Sequence, residues 1–486
     1  MTKLTNYLKE YSRSDKLLAL HASFELSRRK LIPFCLLQNS YYKKSDHLIH
    51  IANALERVER GEIKKLMVFC PPRHGKSKLV SVNFPAWYLG RNPNNNVILA
   101  SYASSLAEEF SGQARGLVED ELYRAVFGVS TNPRSRGVKS WEMGFGFRGG
   151  LMAVGVCGGA TGFGANVLII DDPVKNHIEA FSKTYREKVY SWYQSVASTR
   201  IEPGGAIILM MARWHQDDLA GRILKEEPDE WEVINLEAIA GDNDPLGREK
   251  GQALWPQRYD VEAISKIKKT IGTKFFNALF RGTPDDPESQ IIKREWIKYY
   301  KKLPIEYERF GGVDTATSAK TTADNTSMVD VCKDWEGYLY VDDCFLEKIS
   351  VYGFSKYVNA QHAAKKYRLI KLEANNAGES IKQRIDEVGR DPKTGSHPPV
   401  RAETTTTDKV VRVNEISPLI ENGTVRFKLG NPRVAKLVDH LISFDGSGSD
   451  IDDDVDALTF AIKAATGGAA FFSSTNNYDV YQKGQK

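Results

Sequence analysis

The spacing of apolar positions along the chain predicts helices first, and then alternating strands and helices. Residues 1–60 are polar with a helical period, and this part of the chain closes with the amphipathic stretch HLIHIANALERVERGEIKK. Five short apolar runs follow, separated by helical patterns: KLMVFC, NNVILASY, GGLMAVGV, ANVLIIDDP and GGAIILMMA. Short buried strands that alternate with helices indicate an α/β fold with a mainly parallel sheet covered by helices.

This pattern changes further along the chain, and the changes predict domain boundaries. Loops and short helices replace it in residues 228–290, which we predict to be a lid or linker region. Strand-like runs such as RFGGVDTATS and LIKLEANN then return, before a final segment that lacks periodicity and is expected to be flexible. The predicted domains are therefore 1–227, with a helical N-terminal segment, and 291–466, followed by a tail at 467–486.

Composition narrows the class of protein. The 486 residues exceed what one hydrophobic core usually holds, and 41% hydrophobic with 27% charged residues is ordinary for a globular protein. No run approaches the roughly 18 apolar residues of a membrane span, and the polar N-terminus is unlike a signal peptide. Five cysteines without a C-x-x-C pair suggest free thiols in a reducing cytoplasm and argue against zinc. A net charge of +5 permits a nucleic-acid partner through a local basic face.

The stretch VFCPPRHGKSKL has the order strand, turn and helix that a phosphate-binding loop requires. Lys76 is predicted to reach the β and γ phosphates of ATP, and Ser77 to bind Mg²⁺. The pattern G-x-x-x-x-G-K-[ST] wants a glycine where Cys70 stands, so a chance Gly-Lys-Ser is the alternative. The predicted nucleotide contacts in the loop are Pro72, Arg73, His74, Gly75, Lys76, Ser77 and Lys78.

A second apolar strand, NVLIIDDP, ends in two carboxylates. Phosphoryl transfer needs such a strand to hold Mg²⁺ and to orient the attacking water. Asp171 is predicted to bind the metal and Asp172 to polarise the water, with Glu179 as the second candidate for that role. The alternative is an acidic helix cap, because Asp before proline often begins a helix.

Carboxylates recur at strand ends in the second half of the chain. Cleavage of a phosphodiester by two metal ions needs three or four carboxylates around ions about 3.5–4 Å apart, and Mg²⁺ prefers oxygen ligands. Each of these strand-end carboxylates, taken alone, also has a simpler explanation, such as an Asx turn, a surface charge or an acidic cap. The predicted metal ligands are Asp314, Asp324, Glu373, Asp452, Asp453 and Asp456, of which Asp314, Glu373, Asp452 and Asp453 are the predicted catalytic residues.

Basic residues lie between the last two of these carboxylate segments. They are predicted to contact DNA phosphates without reading sequence, and a solvated surface is the alternative for each of them. They are Lys409, Arg412, Arg426, Lys428 and Arg433.

Six motifs give the chain a resemblance to the large terminase subunit of tailed bacteriophages. They are CPPRHGKS, GGATGFGANVLIIDDPVKN, MMARWHQDDLAG, VDTA, KLEANN and DDDVDAL, and the resemblance covers about residues 45–465. The resemblance implies a RecA/ASCE-like P-loop ATPase domain followed by a ribonuclease-H-like nuclease domain. It also implies ATP and Mg²⁺ as cofactors, with Mn²⁺ as an alternative ion in the nuclease site.

The resemblance further implies a function and partners. ATP hydrolysis would drive double-stranded DNA into a procapsid, and a two-metal endonuclease would cut the concatemer. The chain would form a homo-oligomeric ring on the portal protein, with a small terminase subunit as a further partner and no membrane. It would work in the host cytoplasm and transiently on the procapsid, and would be absent from the mature virion. The tail after Gly467 is expected to contact the portal.

One segment matches the family and another departs from it. ARWHQDDLAG resembles the segment that couples ATP state to movement, which makes Arg213 (as a nucleotide contact) and His215 candidates, with ordinary core packing as the alternative. Many relatives read T-G-R-G-A-D where this chain has TGFGAN, with Phe163 in place of the arginine. Phenylalanine cannot stabilise charge on the transferred phosphoryl group, so Arg148 or Arg200 is expected to take that role, or another source to supply it.

Two other functions share some of these features. An ATP-dependent helicase–nuclease of DNA repair or recombination would use both chemistries on unwound strands. A docking subunit with decayed sites is the non-enzymatic alternative, and its support is the missing glycine at Cys70 together with Phe163.

Overall fold

The chain folds as two compact units. The structure is a computed structural model that describes residues 13–144, 146–159, 162–284, 290–315, 325–374, 378–389, 397–444 and 453–467. The first unit comprises Met1–Ile267 with Lys274–Asp285, and the second Lys268–Thr273 with Asp286–Lys486. The functional boundaries at residues 227 and 290, and the lid role of 228–290, stay predictions.

The first unit is built on one sheet with helices on its faces. Its described strands are β1 (Lys65–Phe69), β2 (Asn96–Ser101), β3 (Thr131–Arg136), β4 (Ser140–Met143), β5 (Gly150–Gly155), β6 (Ala165–Asp171), β7 (Ile201–Met210) and β8 (Glu232–Asn235). The helices described up to residue 276 are α1 (Arg13–Arg29), α2 (Leu31–Gln38), α3 (Asp46–Glu59), α4 (Phe84–Arg91), α5 (Ser104–Glu119), α6 (Glu121–Phe127), α7 (His177–Phe181), α8 (Lys183–Trp192), α9 (Leu219–Glu226) and α10 (Val261–Phe276). Short π-helical turns lie at Lys78–Asn83, Tyr193–Ala197 and Asn277–Arg281, and a 3-10 turn lies at Ser198–Arg200.

The strand order brings the two predicted nucleotide motifs to one edge. The sheet runs β3-β4-β5-β2-β6-β7-β1-β8, and neighbours from β5 to β8 are all parallel. β7 thus separates β1, which leads into the phosphate loop, from β6, which ends in Asp171. Because parallel strands end at the same edge of a sheet, both motifs lie there.

All five strands predicted in this unit are present, because each is a continuous apolar run. In β6, for example, Val167 and Ile169 belong to one hydrophobic cluster and Leu168 and Ile170 to another, so the strand is buried on both faces. The sequence analysis missed β3 and β4, and also β8 within the predicted lid region. The sequence TNPRSR of β3 is polar, and EVIN of β8 is only four residues long, so neither stands out from a loop.

The second unit is built on another mixed sheet. Its described strands are β9 (Lys298–Tyr300), β10 (Glu308–Thr315), β11 (Asn325–Lys333), β12 (Leu339–Lys348), β13 (Leu369–Glu373), β14 (Val400–Glu403) and β15 (Val425–Lys428). Its remaining described helices are α11 (Val351–Lys365), α12 (Gly378–Gly389), α13 (Lys409–Glu421), α14 (Pro432–Ser443) and α15 (Asp453–Ala465), with a 3-10 turn at Arg294–Trp296.

The sheet order β14-β13-β10-β11-β12-β15-β9 positions the predicted acidic residues. β10 is antiparallel to β11 and parallel to β13, with Val313 beside Leu372 in register. The next residue on each strand, Asp314 or Glu373, therefore lies at the same edge. α15 crosses β10 at Gly312 so closely that a Cβ atom there would lie 2.1 Å from backbone atoms of the helix. This contact sets the acidic start of α15 beside the end of β10.

Candidate functional site

The phosphate loop joins β1 to the π-helical turn Lys78–Asn83 at the carboxyl edge of the first sheet. Arg73 (φ 61°) and Gly75 (φ 86°) have left-handed backbone conformations, which turn the chain sharply between strand and helix. Lys76 is buried, and its Nζ lies 3.7 Å from Oδ2 of Asp172. The loop has the strand–turn–helix geometry that a phosphate-binding site needs, with one ammonium group at the strand edge.

Residues outside the motif hold this loop in place. Nε2 of His47 donates to the carbonyl oxygen of His74 over 2.8 Å, and the ring of Tyr259 stacks on that of His74 with centroids 5.2 Å apart. Nδ1 of His74 bonds to the carbonyl oxygen of Pro72 over 2.9 Å, and burial lowers the pKa of His74 to about 4. His74 is therefore a neutral support of the loop. The sequence analysis missed His47 and Tyr259, because neither belongs to the motif.

Asp171 is buried at the end of β6 and faces two hydroxyl groups. Ser81 Oγ donates to its Oδ2 over 2.6 Å, and Ser77 Oγ lies 3.4 Å from its Oδ1. Burial and the charge of Asp172 raise the pKa of Asp171 to about 7. A cation at this place would restore the ionised carboxylate, so the donor set fits Mg²⁺. Ser81 was missed by the sequence analysis because it lies one helical turn beyond the motif.

Asp172 and Glu179, the two candidates for polarising water, have different surroundings. Asp172 has a φ of 43°, and its Oδ1 accepts the N–H of Ala212 over 2.9 Å, which leaves Oδ2 toward Lys76. Glu179 lies in α7, and its Oε2 accepts the N–H of Lys175 over 2.9 Å. The side chain that caps α7 is Asn176, so the alternative in which Asp172 is a helix cap is wrong.

Two other predicted nucleotide contacts have partners within the protein. Nε of Arg213 donates to both carboxylate oxygens of Asp218, at 3.0 and 2.9 Å, and its guanidinium lies 5.1 Å from the ring centre of Phe69. Nζ of Lys78 donates to Oε1 of Gln113 over 2.9 Å. Arg213 is thus held at the carboxyl end of β7, while Lys78 is engaged by a side chain of α5 rather than left open toward the loop.

The neighbours of Arg213 belong to an aromatic cluster. The ring of Trp214 lies 6.5 Å from His177 and 6.3 Å from Phe275, and that of His215 lies 5.6 Å from Phe181. Burial lowers the pKa of His215 to about 4, so its imidazole is neutral. Both residues therefore pack against aromatic neighbours here, and a coupling role for His215 stays a prediction.

The second centre forms where β10 and β13 end side by side. Asp314 is only 5% exposed. Burial, a hydrogen bond with Glu373 and the charges of Asp456, Glu373 and Asp453 together raise its pKa well above the ordinary range. The structure therefore brings together carboxylates from β10, β13 and α15, three segments that are far apart in the sequence.

Two basic side chains of α13 lie within this acidic cluster. Arg412 places one guanidinium nitrogen 3.2 Å from Oε1 of Glu373 and another 2.8 Å from Oδ1 of Asp456. Nζ of Lys409 lies 3.0 Å from Oδ2 of Asp456. Arg412 is 2% exposed, so the prediction that it contacts DNA phosphates is wrong. We expected the charged side chain of Arg412 at the surface. It can be buried because Glu373 and Asp456, which lie in other segments of the sequence, compensate its charge.

The other acidic residues at the start of α15 differ in exposure. Asp453 is half-buried, whereas Asp454 is buried and bonds through Oδ2 to Nδ1 of His440 over 2.8 Å. Asp324 and Asp452 lie outside the described residues. Within the described part of the chain, no three acidic, His or Cys side chains already form a metal-binding group. The donors are nevertheless hard oxygen ligands whose mutual repulsion a divalent cation would relieve, so their chemistry fits Mg²⁺ or Mn²⁺.

Two protein-family models match the chain. The model described as "Terminase large subunit, T4likevirus-type, N-terminal" matches residues 67–299, and that described as "Terminase RNaseH-like domain" matches residues 311–465. The chain belongs to the large terminase family. It is therefore a DNA-packaging protein with an ATPase and a nuclease, and the predicted α/β fold class is confirmed. The alternative of a helicase–nuclease is not favoured.

Solved terminase structures are among those similar to this chain. A large terminase from a thermophilic bacteriophage is 10% identical, with a TM-score of 0.49 over 88% of this chain and 97% of that one. The HK97 bacteriophage large terminase is 11% identical, with a TM-score of 0.36 over 93% and 100%. The large terminase nuclease of thermophilic phage G20c, with bound magnesium, is 14% identical, with a TM-score of 0.28 over 37% and 97%. No curated protein matches the chain.

Phe163 marks the departure of this terminase from the motif of many relatives. Its ring packs against the hydrophobic cluster on one face of the first sheet, so it serves the core. Arg148 is exposed and Arg200 half-buried. That Arg148 or Arg200 stabilises charge on the transferred phosphoryl group, in place of an arginine at position 163, stays a prediction.

The remaining basic residues between β13 and α15 have partners of their own. Lys428 Nζ lies 2.7 Å from Asp342, and Arg433 lies 3.0 Å from Asp343. Arg426 stacks 4.0 Å above the ring of Tyr338. A role in contacting DNA stays a prediction for these three and for Lys409.

None of the helices in the described ranges is long and apolar enough to cross a membrane.

Proposed function

We propose that the phosphate loop of this terminase binds ATP and that Ser77 and Asp171 hold its Mg²⁺ ion. The observation that carries this proposal is the meeting of Lys76, Ser77, Asp171 and Asp172 at the ends of β1 and β6. Lys76 would neutralise charge on the β and γ phosphates, with the backbone of residues 72–75 around them. Mg²⁺, when bound, spreads the charge of the phosphates and lowers the cost of phosphoryl transfer.

Asp172 is the residue that we propose to polarise the attacking water. One of its oxygens is fixed by the N–H of Ala212, and the other is directed toward Lys76, so the carboxylate is preorganised beside the loop. Glu179 stays the second candidate. Its carboxylate accepts a hydrogen bond from the N–H of Lys175, in the segment that precedes its own helix.

We propose that the second centre binds two Mg²⁺ or Mn²⁺ ions and cleaves DNA. Its ligands would be Asp314 and Glu373 at the strand ends and Asp453 at the start of α15, with Asp452 and Asp324 from outside the described residues. When bound, such ions activate water and stabilise the leaving oxygen. The support is the raised pKa of Asp314, which burial, a hydrogen bond with Glu373 and the nearby charges of Asp456, Glu373 and Asp453 produce and which a bound cation would relieve.

The partners follow from the packaging role. We propose that this terminase acts as a homo-oligomeric ring on the portal protein, where it pulls double-stranded DNA and receives its substrate from a small terminase subunit. The work would take place in the host cytoplasm and on the procapsid, and the mature virion would lack the protein. The proposed portal contact of the tail lies outside the described residues.

Two single substitutions test the two chemistries separately. Lys76→Ala should abolish ATP hydrolysis and leave DNA cleavage intact, because the ammonium lies at the phosphate site. Asp314→Ala should do the reverse. Lys64→Ala is the matched control for the first, since Lys64 lies just before β1 and bonds to the carbonyl group of Gly204. Full ATPase activity in Lys76→Ala, or full cleavage in Asp314→Ala, would show that the assigned site is wrong.

The packaging function is tested with procapsids, linear DNA and ATP. DNA should become protected from added nuclease only when ATP and the wild-type protein are both present, and Lys76→Ala should give no protection. Robust unwinding of a forked duplex without packaging would instead support the helicase–nuclease alternative.

A further inference from the structure

Arg412 is a deeply buried basic side chain at the nuclease centre. Its side chain is 3% exposed, and its guanidinium bridges Glu373 at 3.2 Å and Asp456 at 2.8 Å. The same group lies 5.4 Å from the ring centre of Phe460, so packing as well as charge fixes its position. A planar guanidinium that touches one oxygen of Glu373 determines how that carboxylate is turned.

Asp456 differs from the other acidic residues because cations already occupy both of its oxygens. Oδ1 lies 2.8 Å from Arg412, Oδ2 lies 3.0 Å from Lys409, and the side chain is 2% exposed. A metal ion on either oxygen would stand beside a fixed positive charge, and at such distances like charges repel strongly in a protein interior. Asp453, one turn earlier on α15, is half-buried and has a more open position.

We propose that Asp456 is not a metal ligand but the counter-charge that keeps Arg412 and Lys409 at the nuclease centre. Arg412 then orients Glu373 toward the metals, and Lys409 faces the DNA backbone. This inference rests on the proposed nuclease function. Arg412 and Asp456 are positioning residues. Lys409, whose side chain is 43% exposed, is the member of the trio that solvent and a phosphate can reach.

The test counts Mn²⁺ ions bound by the full chain, from the electron paramagnetic resonance signal of free Mn²⁺. Asp456→Asn alone leaves Glu373 as the carboxylate that the guanidinium still contacts, so Arg412 should compete with Mn²⁺ for Glu373 and weaken Mn²⁺ binding. Adding Arg412→Gln removes the guanidinium charge but keeps an amide N–H that can still donate to Glu373, so the double variant should bind the wild-type number of ions with affinity within about threefold of wild type. Asp314→Asn should lose an ion, and Arg412→Gln should not restore it.

A double variant that binds one ion fewer than wild type would identify Asp456 as a ligand and overturn the proposal. The double variant should fold, because it removes the buried charges of both Arg412 and Asp456, and calorimetry checks that it does. The matched control is the ion pair of Lys463 and Glu415, at 3.1 Å, which joins the same two helices. Lys463→Met with Glu415→Gln should leave Mn²⁺ binding unchanged, and a comparable loss there would show that the rescue is not specific.

Lys409 has a separate readout. Lys409→Met should raise KM for DNA with the number of bound Mn²⁺ ions unchanged, and Lys409→Arg should restore much of the wild-type KM. An unchanged KM would remove the DNA contact from the proposal. If the wild-type chain binds no Mn²⁺ and cuts no DNA, the proposed nuclease function fails as well, an outcome distinct from a failed rescue.

Discussion

Gly312 holds the nuclease centre together by its lack of a side chain, and Gly312→Ala tests this directly. A Cβ at this position would lie 2.1 Å from the carbonyl oxygen of Ala457 and from the backbone nitrogen of Ala461. Ordinary contact begins at 3.4 Å, so α15 and β10 would have to separate by about 1.3 Å. Because both neighbours are backbone atoms, no rotamer change can relieve the clash.

The loss of stability that we expect for Gly312→Ala follows from this geometry. Overpacking in a core costs about 1–3 kcal/mol, and a clash with a helix backbone belongs at the upper end, about 3 kcal/mol. For a domain of this size, each kcal/mol lowers Tm by roughly 2–4 °C, so the second unit should melt about 6–12 °C lower. The same separation moves Asp453 away from Asp314. A displacement of about 1 Å in a catalytic site can cost about 100-fold in rate, which is the loss of DNA cleavage that we expect.

Gly311→Ala is the matched control on the opposite face of the same strand. Its Cβ would meet Cε of Met328 at 3.1 Å and Cγ1 of Ile370 at 3.2 Å, so side chains rather than backbone would have to give, by a few tenths of an ångström. It should cost less than about 1 kcal/mol and leave cleavage nearly unchanged. Calorimetry of the full chain gives the melting of the second unit, and plasmid nicking gives the rate. Equal losses in the two variants would refute the reasoning, because they would show that close approach of α15 does not set the centre.

Three further substitutions test other contacts. Ser81→Ala removes the 2.6 Å hydrogen bond that favours ionised Asp171, so the pKa of Asp171 should rise further above about 7. The acidic limb of the ATPase pH–rate profile should then move to higher pH, and an unmoved limb would contradict this. Tyr259→Ala removes the ring stacked 5.2 Å from His74 and should raise KM for ATP by about 2- to 10-fold, whereas Tyr259→Phe should not. Asp330→Asn removes one of the two carboxylates that contact the buried Arg309 and the partly exposed Lys365, at 3.3 and 2.6 Å, while Asp342 and Asp343 remain as their other partners. It should lower the free energy of unfolding of the second unit by about 2 kcal/mol, measured by calorimetry, and a loss below about 0.5 kcal/mol would contradict it.

The sequence predicts the fold well where one physical rule decides it. Continuous apolar runs predict the buried parallel strands of the first unit, and parallel strands in turn bring Lys76 and Asp171 to one edge. The edge that joins Asp314 to Glu373 follows from the same rule. Polar or very short strands such as β3 and β8 carry no such signal. β8 in addition pairs with β1, which is distant in the chain.

The sequence predicts less of what supports each site. His47 and Tyr259 hold the phosphate loop by contacting His74, from which both are distant along the chain, and no local pattern marks them. Arg412 was expected on a DNA-facing surface, since a lone arginine is usually exposed. Its burial depends on two carboxylates from β13 and α15 that compensate its charge, and only the folded chain brings these three segments together.

At both centres burial disfavours an ionised carboxylate, so metal binding at each centre depends on pH. At the first centre, burial and the charge of Asp172 raise the pKa of Asp171 to about 7, although the hydroxyl groups of Ser81 and Ser77 and the charge of Lys76 act in the opposite direction. At the second, cations are present, but they contact Glu373 and Asp456, and the pKa of Asp314 stays well above its ordinary range. A divalent ion requires the ionised carboxylate in each case, so binding it must release a proton. Affinity for metal at both centres should therefore fall as the pH is lowered through these raised pKa values, and packaging and cutting should weaken together in acid.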